Sequence, residues 1–335
     1  MVRIGLILMF LAYLLPSTVS ATSAVILMYH RFGENNFPTT NVRTEQLESH
    51  IKELKSGRYN VIPIQEILRA IFHGKALPAN TVGITIDDGY KSIYEIAWPR
   101  FRKAEIPFTV FVSTNPIDNG YPGRLTWKEI KKMKSAGVTF GAHTASHNHM
   151  TQSTIQSNSN ELEKSNDRFI TELGNSPNVF AYPYGEASKQ LFELAADNGY
   201  EYAFGQHSGV LSATTNRYFI PRFPLNEKYG GISRLKLILN ALPLSVSEFM
   251  PSNPLLQANK TPIIGFTVNN TVENLKNLSC FITGQNKIQH NVLGGSRVEI
   301  RVQRPFLPGR TRLNCTLFNG KGRWHWFGWM FVTNK

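Results

Sequence analysis

Thr81-Val82-Gly83-Ile84-Thr85-Ile86-Asp87-Asp88-Gly89 is an apolar run that ends in two adjacent carboxylates and a glycine. The run reads as a buried strand and the carboxylates as residues at its C-terminal end. A second stretch repeats the arrangement further on: residues 138–142 read as a strand and lead directly into His143-Thr144-Ala145-Ser146-His147. Asp-Asp-Gly alone is an ordinary turn sequence, and two nearby histidines alone often just hydrogen-bond at a surface. Each behind its own strand, the two stretches offer three metal-ligand side chains and leave one carboxylate free to move protons. A metal-assisted hydrolase needs that combination.

The flanking sequence sets these strands in a βα series. Val25 to Tyr29 reads as a buried strand, and residues 44–56 as a helix with Leu47, Ile51 and Leu54 on one face and Gly57 as its stop. A helix near 92–104 and a strand at 108–113 follow the acidic stretch. Thr126-Trp127-Lys128-Glu129 is a capping box that opens a helix ending at Gly137. Helix 156–173 with strand 178–182, and helix 187–198 with strand 201–205, complete the series. Repeated units of this kind favour a parallel sheet, open or closed into a barrel, with ligands at the C-terminal strand ends. Asp87, Asp88 and His143 fall at such ends, so separate stretches converge on one mouth.

The termini have a different texture. Arg3, the apolar stretch Ile4–Leu15 of about 12 residues and small residues before a cleavage point after Ala21 read as a signal peptide over residues 1–21. Its apolar core is short of the roughly 20 residues of a spanning helix; an uncleaved anchor is the alternative. The expected product is exported, to the periplasm or outside the cell. Residues 226–257 read as a closing helix and a linker containing Pro243, Pro251 and Pro254. Residues 258–335 break into short apolar stretches separated by Gly, Asn and Pro turns, which reads as a small all-β, immunoglobulin-like sandwich. It holds the chain's two cysteines, Cys280 and Cys315, spaced to staple two strands by a disulfide in an oxidising compartment. Most of the net charge of +13 is here too, with 11 Lys or Arg against two acidic residues. An exported basic module suits an anionic glycan, a membrane surface or an acidic partner, and no nucleic acid. In Trp324–Phe331, Trp324 and Trp326 share one strand face, and Phe327, Trp329 and Phe331 the other. One face fills the sandwich core; the other either presents rings for sugar stacking beside Arg310, Arg312 and Arg323 or packs as well.

Ile84-Thr85-Ile86-Asp87-Asp88-Gly89 and His143-Thr144-Ala145-Ser146-His147 resemble the first two motifs of the NodB-type polysaccharide deacetylases, carbohydrate esterase family 4. The resemblance covers roughly residues 24–225. It includes Leu27-Met28-Tyr29-His30, Pro107–Val112, Leu125-Thr126-Trp127 and Ala181-Tyr182-Pro183-Tyr184-Gly185, flanks most similar to the branch that de-N-acetylates poly-N-acetylglucosamine. It implies a distorted (β/α) barrel over residues 22–225, a divalent metal, usually zinc with cobalt or nickel as alternatives, and an N-acetylglucosamine polysaccharide as substrate. Asp88, His143 and His147 would then be metal ligands, Asp87 the general base, and the Tyr184 amide the oxyanion donor.

Two departures from the family pattern stand out. Where many members carry an arginine that orients the base, this chain has Ala181, and Arg222 in Ile220-Pro221-Arg222-Phe223-Pro224 is the candidate to supply that charge. The late Leu-x-x-His motif that provides the general acid is not evident, which leaves His30 and, behind it, His207 as candidates. His149 reads as a loop residue or a further imidazole near the metal, and Trp127 as a groove residue or packing under its cap. The expected function is metal-dependent polysaccharide de-N-acetylation; the rivals are a silent glycan-binding protein and an amidase for a small non-sugar amide.

Overall fold

The computed structural model describes residues 20–334, apart from 259, 260, 270, 271, 273 and 287. The expected signal peptide, up to residue 19, lies outside the described residues. Among the described residues no helix is long and apolar enough to cross a membrane.

Six parallel strands form the body of the nine-stranded sheet of the first unit: β1 (Ser23–Tyr29), β2 (Thr81–Ile86), β3 (Thr109–Val112), β4 (Thr139–Ala142), β5 (Val179–Ala181) and β6 (Tyr202–Phe204). They lie side by side in that order. β2 is buried at every position, which is why it reads as a continuous apolar run instead of alternating. The connecting helices are α1 (Thr44–Leu54), α2 (Ile64–Phe72), α3 (Trp98–Lys103), α4 (Thr114–Asp118), α5 (Trp127–Ser135), α6 (Ile155–Leu173) and α7 (Lys189–Asp197). The expected helix near 92–104 is a π-helical turn, Ile93–Ala97, running into α3. The Thr126 box caps α5 as read, with the hydroxyl accepting from the Glu129 amide. α2 has no counterpart among the sequence expectations. Its Ile64 and Ile67 lie so close to Gly83 that a Cβ there would come within 2.4 Å of the Ile64 Cδ1.

One irregular segment closes this sheet. On the β6 side, the Ala203 and Gly205 amides donate to the Arg217 and Ile220 carbonyls, and the Ile220 amide returns a bond to the Ala203 carbonyl. On the β1 side, β7 (Phe223–Pro224) pairs in parallel with Leu27 and Met28, and the Leu225 amide donates to the Met28 carbonyl. Residues 217–225 thus satisfy both edges of the sheet and turn it into a distorted barrel.

Helix α8 (Ile232–Leu239) follows, as expected for the start of 226–257, but the rest of that stretch is not a linker. β8 (Val246–Met250) is an edge strand of the second unit, and Leu242–Pro243 and Leu255–Leu256 pair with its last strand. The prolines that suggested a linker sit at strand ends and turns, where a missing N–H costs nothing.

The second unit has two sheets. One joins β8, β9 (Ile263–Val268), β12 (Arg297–Arg301) and β11 (Gln289–Leu293); the other joins β10 (Ser279–Ile282), β13 (Gly309–Phe318) and β14 (Trp324–Thr333). Phe249 and Phe266 of the first sheet meet Phe327, Trp329 and Phe331 of the second, with ring centroids 4.6–6.1 Å apart. The disulfide Cys280–Cys315 is present, but it joins directly paired residues of neighbouring strands in one sheet. An immunoglobulin bridge spans the two sheets, so the second unit departs from that pattern.

The other face of β14 is divided: Trp324 stays exposed beside Phe318, while Trp326 packs inward. Trp326 meets Phe223 of the barrel edge-on at 5.1 Å, and its indole N–H donates to Asn314. The two units touch at backbone level: a Cβ on Gly328 would lie 1.8 Å from the Ser208 carbonyl oxygen. Large apolar side chains between two units gain more from mutual burial than from standing in water.

Candidate active site

The site lies at the C-terminal ends of β1, β2, β4 and β5. Asp87 is fully buried where β2 ends, its amide donating to the Tyr29 carbonyl. Arg222 reaches it from the closing segment with a two-pronged grip, Nη1 to Oδ1 at 2.6 Å and Nη2 to Oδ2 at 2.8 Å. Arg222 is itself fully buried; it also donates to the Gly205 carbonyl and the Thr85 hydroxyl. Its guanidinium lies between the Phe111 and Phe204 rings, 5.5 Å from each centroid. Burial pushes the Asp87 carboxyl up, but the charge of Arg222, with lesser help from His143 and His30, holds it below the usual carboxylate value. Asp87 is therefore a carboxylate, fixed in orientation. Ala181 leaves its position without a charge, and Arg222 brings one to Asp87 from a different strand end.

Asp88, His143 and His147 converge beside it, their donor atoms all within 4.8 Å of one another. Asp88 Oδ1 is 3.3 Å from His143 Nε2 and 3.0 Å from His147 Nε2. Burial raises the Asp88 carboxyl, yet the two imidazoles hold it well below the usual range. For His147, burial is the first cause that lowers its basicity. His143 Nδ1 lies 2.6 Å from the Ala181 carbonyl oxygen. A carbonyl only accepts, so Nδ1 carries a proton, and in the neutral ring Nε2 presents a lone pair toward Asp88. Both Asp88 Oδ1 and His143 Nε2 are buried without a hydrogen-bond partner. With the imidazoles neutral, two buried acceptors face each other, which is costly unless a proton or a metal ion sits between them. A carbonyl behind a histidine is also the usual outer support of a metal ligand. The three residues fit a divalent metal.

The backbone is unusual at the same place. Asp88 (φ 74°), Thr144 (φ 62°), His147 (φ 62°) and Tyr184 (φ 60°) all take the left-handed conformation without being glycine. Such residues cost of order 1–3 kcal/mol each and cluster where function over-determines the backbone. Thr144 stabilises its own turn, its hydroxyl accepting from the His147 amide.

His30, just past β1, places Nε2 4.0 Å from Asp87 Oδ2 and is largely buried. Tyr184, in the turn after β5, sets its ring 4.6 Å from that of His147, edge to face. His149 is not in the ligand group. It stacks flat on Tyr184 at 3.9 Å and meets Glu186 Oε2 at 2.7 Å. His207 is not at this mouth either. It packs against Phe219 and lines a cavity of about 310 Å³ between barrel and sandwich that holds none of the site residues. Burial, reinforced by Arg222 and Arg312, lowers its pKa to about 3. Trp127 is structural, donating to Asp118 and packing edge-on against Phe169 of α6.

Sequence reasoning missed the opposite rim. Arg31 stacks on Tyr90 at 3.4 Å and on Phe37 at 3.9 Å, while Arg124 covers Tyr90 at 4.1 Å and donates to the Asp88 carbonyl. These residues are scattered from 31 to 124, and no local pattern marks them as partners.

A buried two-histidine, one-aspartate group beside a fixed carboxylate, at the strand ends of a distorted barrel, suits metal-assisted hydrolysis. Residues 74–203 match the family described as polysaccharide deacetylase. The poly-beta-1,6-N-acetyl-D-glucosamine N-deacetylase of Staphylococcus aureus is 28% identical over 231 residues, covering 61% of this chain and 79% of the relative. Among solved structures, the Streptococcus pyogenes deacetylase PplD in complex with acetate superimposes with a TM-score of 0.61 at 23% identity, over 65% of this chain and 98% of that one. IcaB from Ammonifex degensii gives 0.57 at 21% identity, over 66% and 98%. The chain carries a polysaccharide deacetylase domain of the NodB type, carbohydrate esterase family 4.

Proposed function

We propose that this protein hydrolyses N-acetyl groups from an N-acetylglucosamine polysaccharide, with Asp88, His143 and His147 holding a divalent cation, zinc ahead of cobalt or nickel. The observation that carries the reading is the meeting of two unpartnered buried acceptors, Asp88 Oδ1 and His143 Nε2, beside a carboxylate that Arg222 keeps ionised. When bound, the metal supplies Lewis-acid polarisation of the acetamide carbonyl and a more acidic water. Asp87 takes the proton of the attacking water, its orientation fixed by Arg222 and its amide bond to Tyr29. The Tyr184 amide, in its left-handed turn, donates to the oxyanion as the carbonyl carbon becomes tetrahedral. His30, 4.0 Å from Asp87, delivers a proton to the departing amine. The C–N bond breaks, and acetate and a free glucosamine amine leave. This replaces the family's late acid motif with a histidine from the first strand end.

The S. aureus relative is named for a poly-β-1,6-N-acetylglucosamine, which makes that polymer the first substrate to try. Export of the chain, to the periplasm or beyond, suits both such a substrate and the disulfide. We read the second unit as immunoglobulin-like in its two-layer packing alone, and its basic surface as suited to anionic glycan, membrane or an acidic partner. The test is acetate release from β-1,6-linked N-acetylglucosamine oligomers by zinc-loaded protein, with Asp87→Asn and His30→Gln alongside. Release by the parent, its loss in Asp87→Asn and a large fall in His30→Gln are expected. No release by a metal-loaded parent on this or other N-acetylhexosamine oligomers would overturn the reading in favour of a silent binder.

A further inference from the structure

The second unit reaches the active site of the first. Arg310, near the start of β13, donates from Nη1 to the Tyr184 carbonyl at 3.4 Å, and its Nε lies 3.7 Å from Glu186 Oε1. Its guanidinium also sits 5.7 Å from the Tyr184 ring centroid. Glu186 is buried, and its second oxygen holds His149, which stacks on Tyr184, whose ring in turn meets His147. Two routes therefore run from one sandwich arginine to the turn beside the metal group, one through the Tyr184 carbonyl and one through Glu186 and His149.

The turn carries backbone strain at Tyr184. Tyr184 and Gly185 both have positive φ, at 60° and 71°, and Gly185 presses so closely on residue 206 that a Cβ would lie 2.5 Å from the Gln206 amide nitrogen. Two further bonds from the second unit flank the same turn. Asn334 donates to the Thr151 carbonyl at 2.6 Å, and Asn253 accepts from the Lys189 amide at 3.1 Å.

We propose that Arg310 is a positioning residue for the barrel's chemistry: the sandwich braces the Tyr184–Glu186 turn and so holds the Tyr184 amide where the oxyanion forms. The inference rests on the deacetylase reading for its catalytic consequence. Its structural half, that the turn is held from the second unit, stands separately. Arg310 is partly exposed and both its polar contacts are long, so its loss leaves the fold intact while loosening the turn.

The experiment uses the full chain as parent, Arg310→Ala and Arg310→Lys, each zinc-loaded. It reads acetate release from a β-1,6-linked N-acetylglucosamine oligomer and hydrogen exchange of the peptide spanning 182–187. Misplacing a catalytic donor by a fraction of an ångström costs about tenfold in kcat. Arg310→Ala should lose about that much, with KM changed less than about twofold and the thermal midpoint held. Its 182–187 peptide should exchange faster while the β2 peptide does not. Arg310→Lys, which keeps the charge beside Glu186 but not the fork, should recover part of the rate. An unchanged kcat in Arg310→Ala overturns the proposal, as does a fall that only tracks lost folded protein. If the parent releases no acetate, the deacetylase reading fails by itself. Exchange over 182–187 then decides the bracing: faster in Arg310→Ala supports it, and unchanged refutes it.

Discussion

Replacing Arg222 with methionine tests the assignment of Asp87 most directly. Methionine fills much of the slot between Phe111 and Phe204 but donates none of the four hydrogen bonds that Arg222 gives to Asp87, Thr85 and Gly205. Both members of the pair are fully buried, so solvent screening does not discount the loss. Removing one partner of a buried pair leaves an uncompensated charge and costs about 3–5 kcal/mol. Asp87→Asn/Arg222→Met removes the stranded charge together with its partner, so the double variant should recover a good part of that loss. The assay is urea unfolding near neutral pH in the presence of a chelator, which keeps any bound cation from standing in for the arginine. Acetate release should fall with the single variant as well, because a base without its clamp loses its orientation. A stability loss below about 1 kcal/mol, or a double variant no better than the single one, would refute the view that Asp87 is an ionised base held by Arg222.

Three further outcomes are expected. His207 is depressed by burial to about 3, below its unfolded value, so the stability it contributes is present above about pH 6.5 and is lost as pH falls toward 3. That loss can reach about 1.4 kcal/mol per pH unit; His207→Phe should flatten stability between pH 6 and 4.5, and an unchanged slope would refute the assignment. Cys280→Ala with Cys315→Ala opens a bridge between residues 35 apart and should cost the sandwich about 2–4 kcal/mol in thermal unfolding. Gly328→Ala drives a methyl group into the Ser208 carbonyl, 1.8 Å away, and should cost about 1–3 kcal/mol or more and speed proteolysis between the units. Unchanged stability and protease resistance would show that the units do not dock as described.

What the sequence disclosed, and what it hid, follows from the range of each interaction. β2 was legible because a strand buried at every position leaves an unbroken apolar run, and Asp87 and Asp88 because they directly end it. The histidines were legible because they directly follow β4, whose last two positions are buried. α2 was missed although Ile64, Ile67, Leu68 and Ile71 repeat at helical spacing behind Pro63, because nine residues between two short strands leave little room for a period to show. β11 was missed because Gln289–Leu293 is an edge strand with no fully buried side chain. The prolines of 243–254 were read as a linker when they punctuate strands. Arg222 was named only as a candidate, since nothing local ties residue 222 to residue 87; the closure of the barrel does. Arg310, Glu186 and His149 span two units, and only the packed chain brings them to Tyr184.

The segment from 205 to 225 also has a consequence for how the molecule yields under stress. It pairs with β6 and β1, carries Arg222 to Asp87, and lays Ser208 against Gly328. One continuous stretch of chain therefore ties the barrel seam, the clamp on the base and the contact between the units together, so an opening that released the whole stretch would undo all three at once.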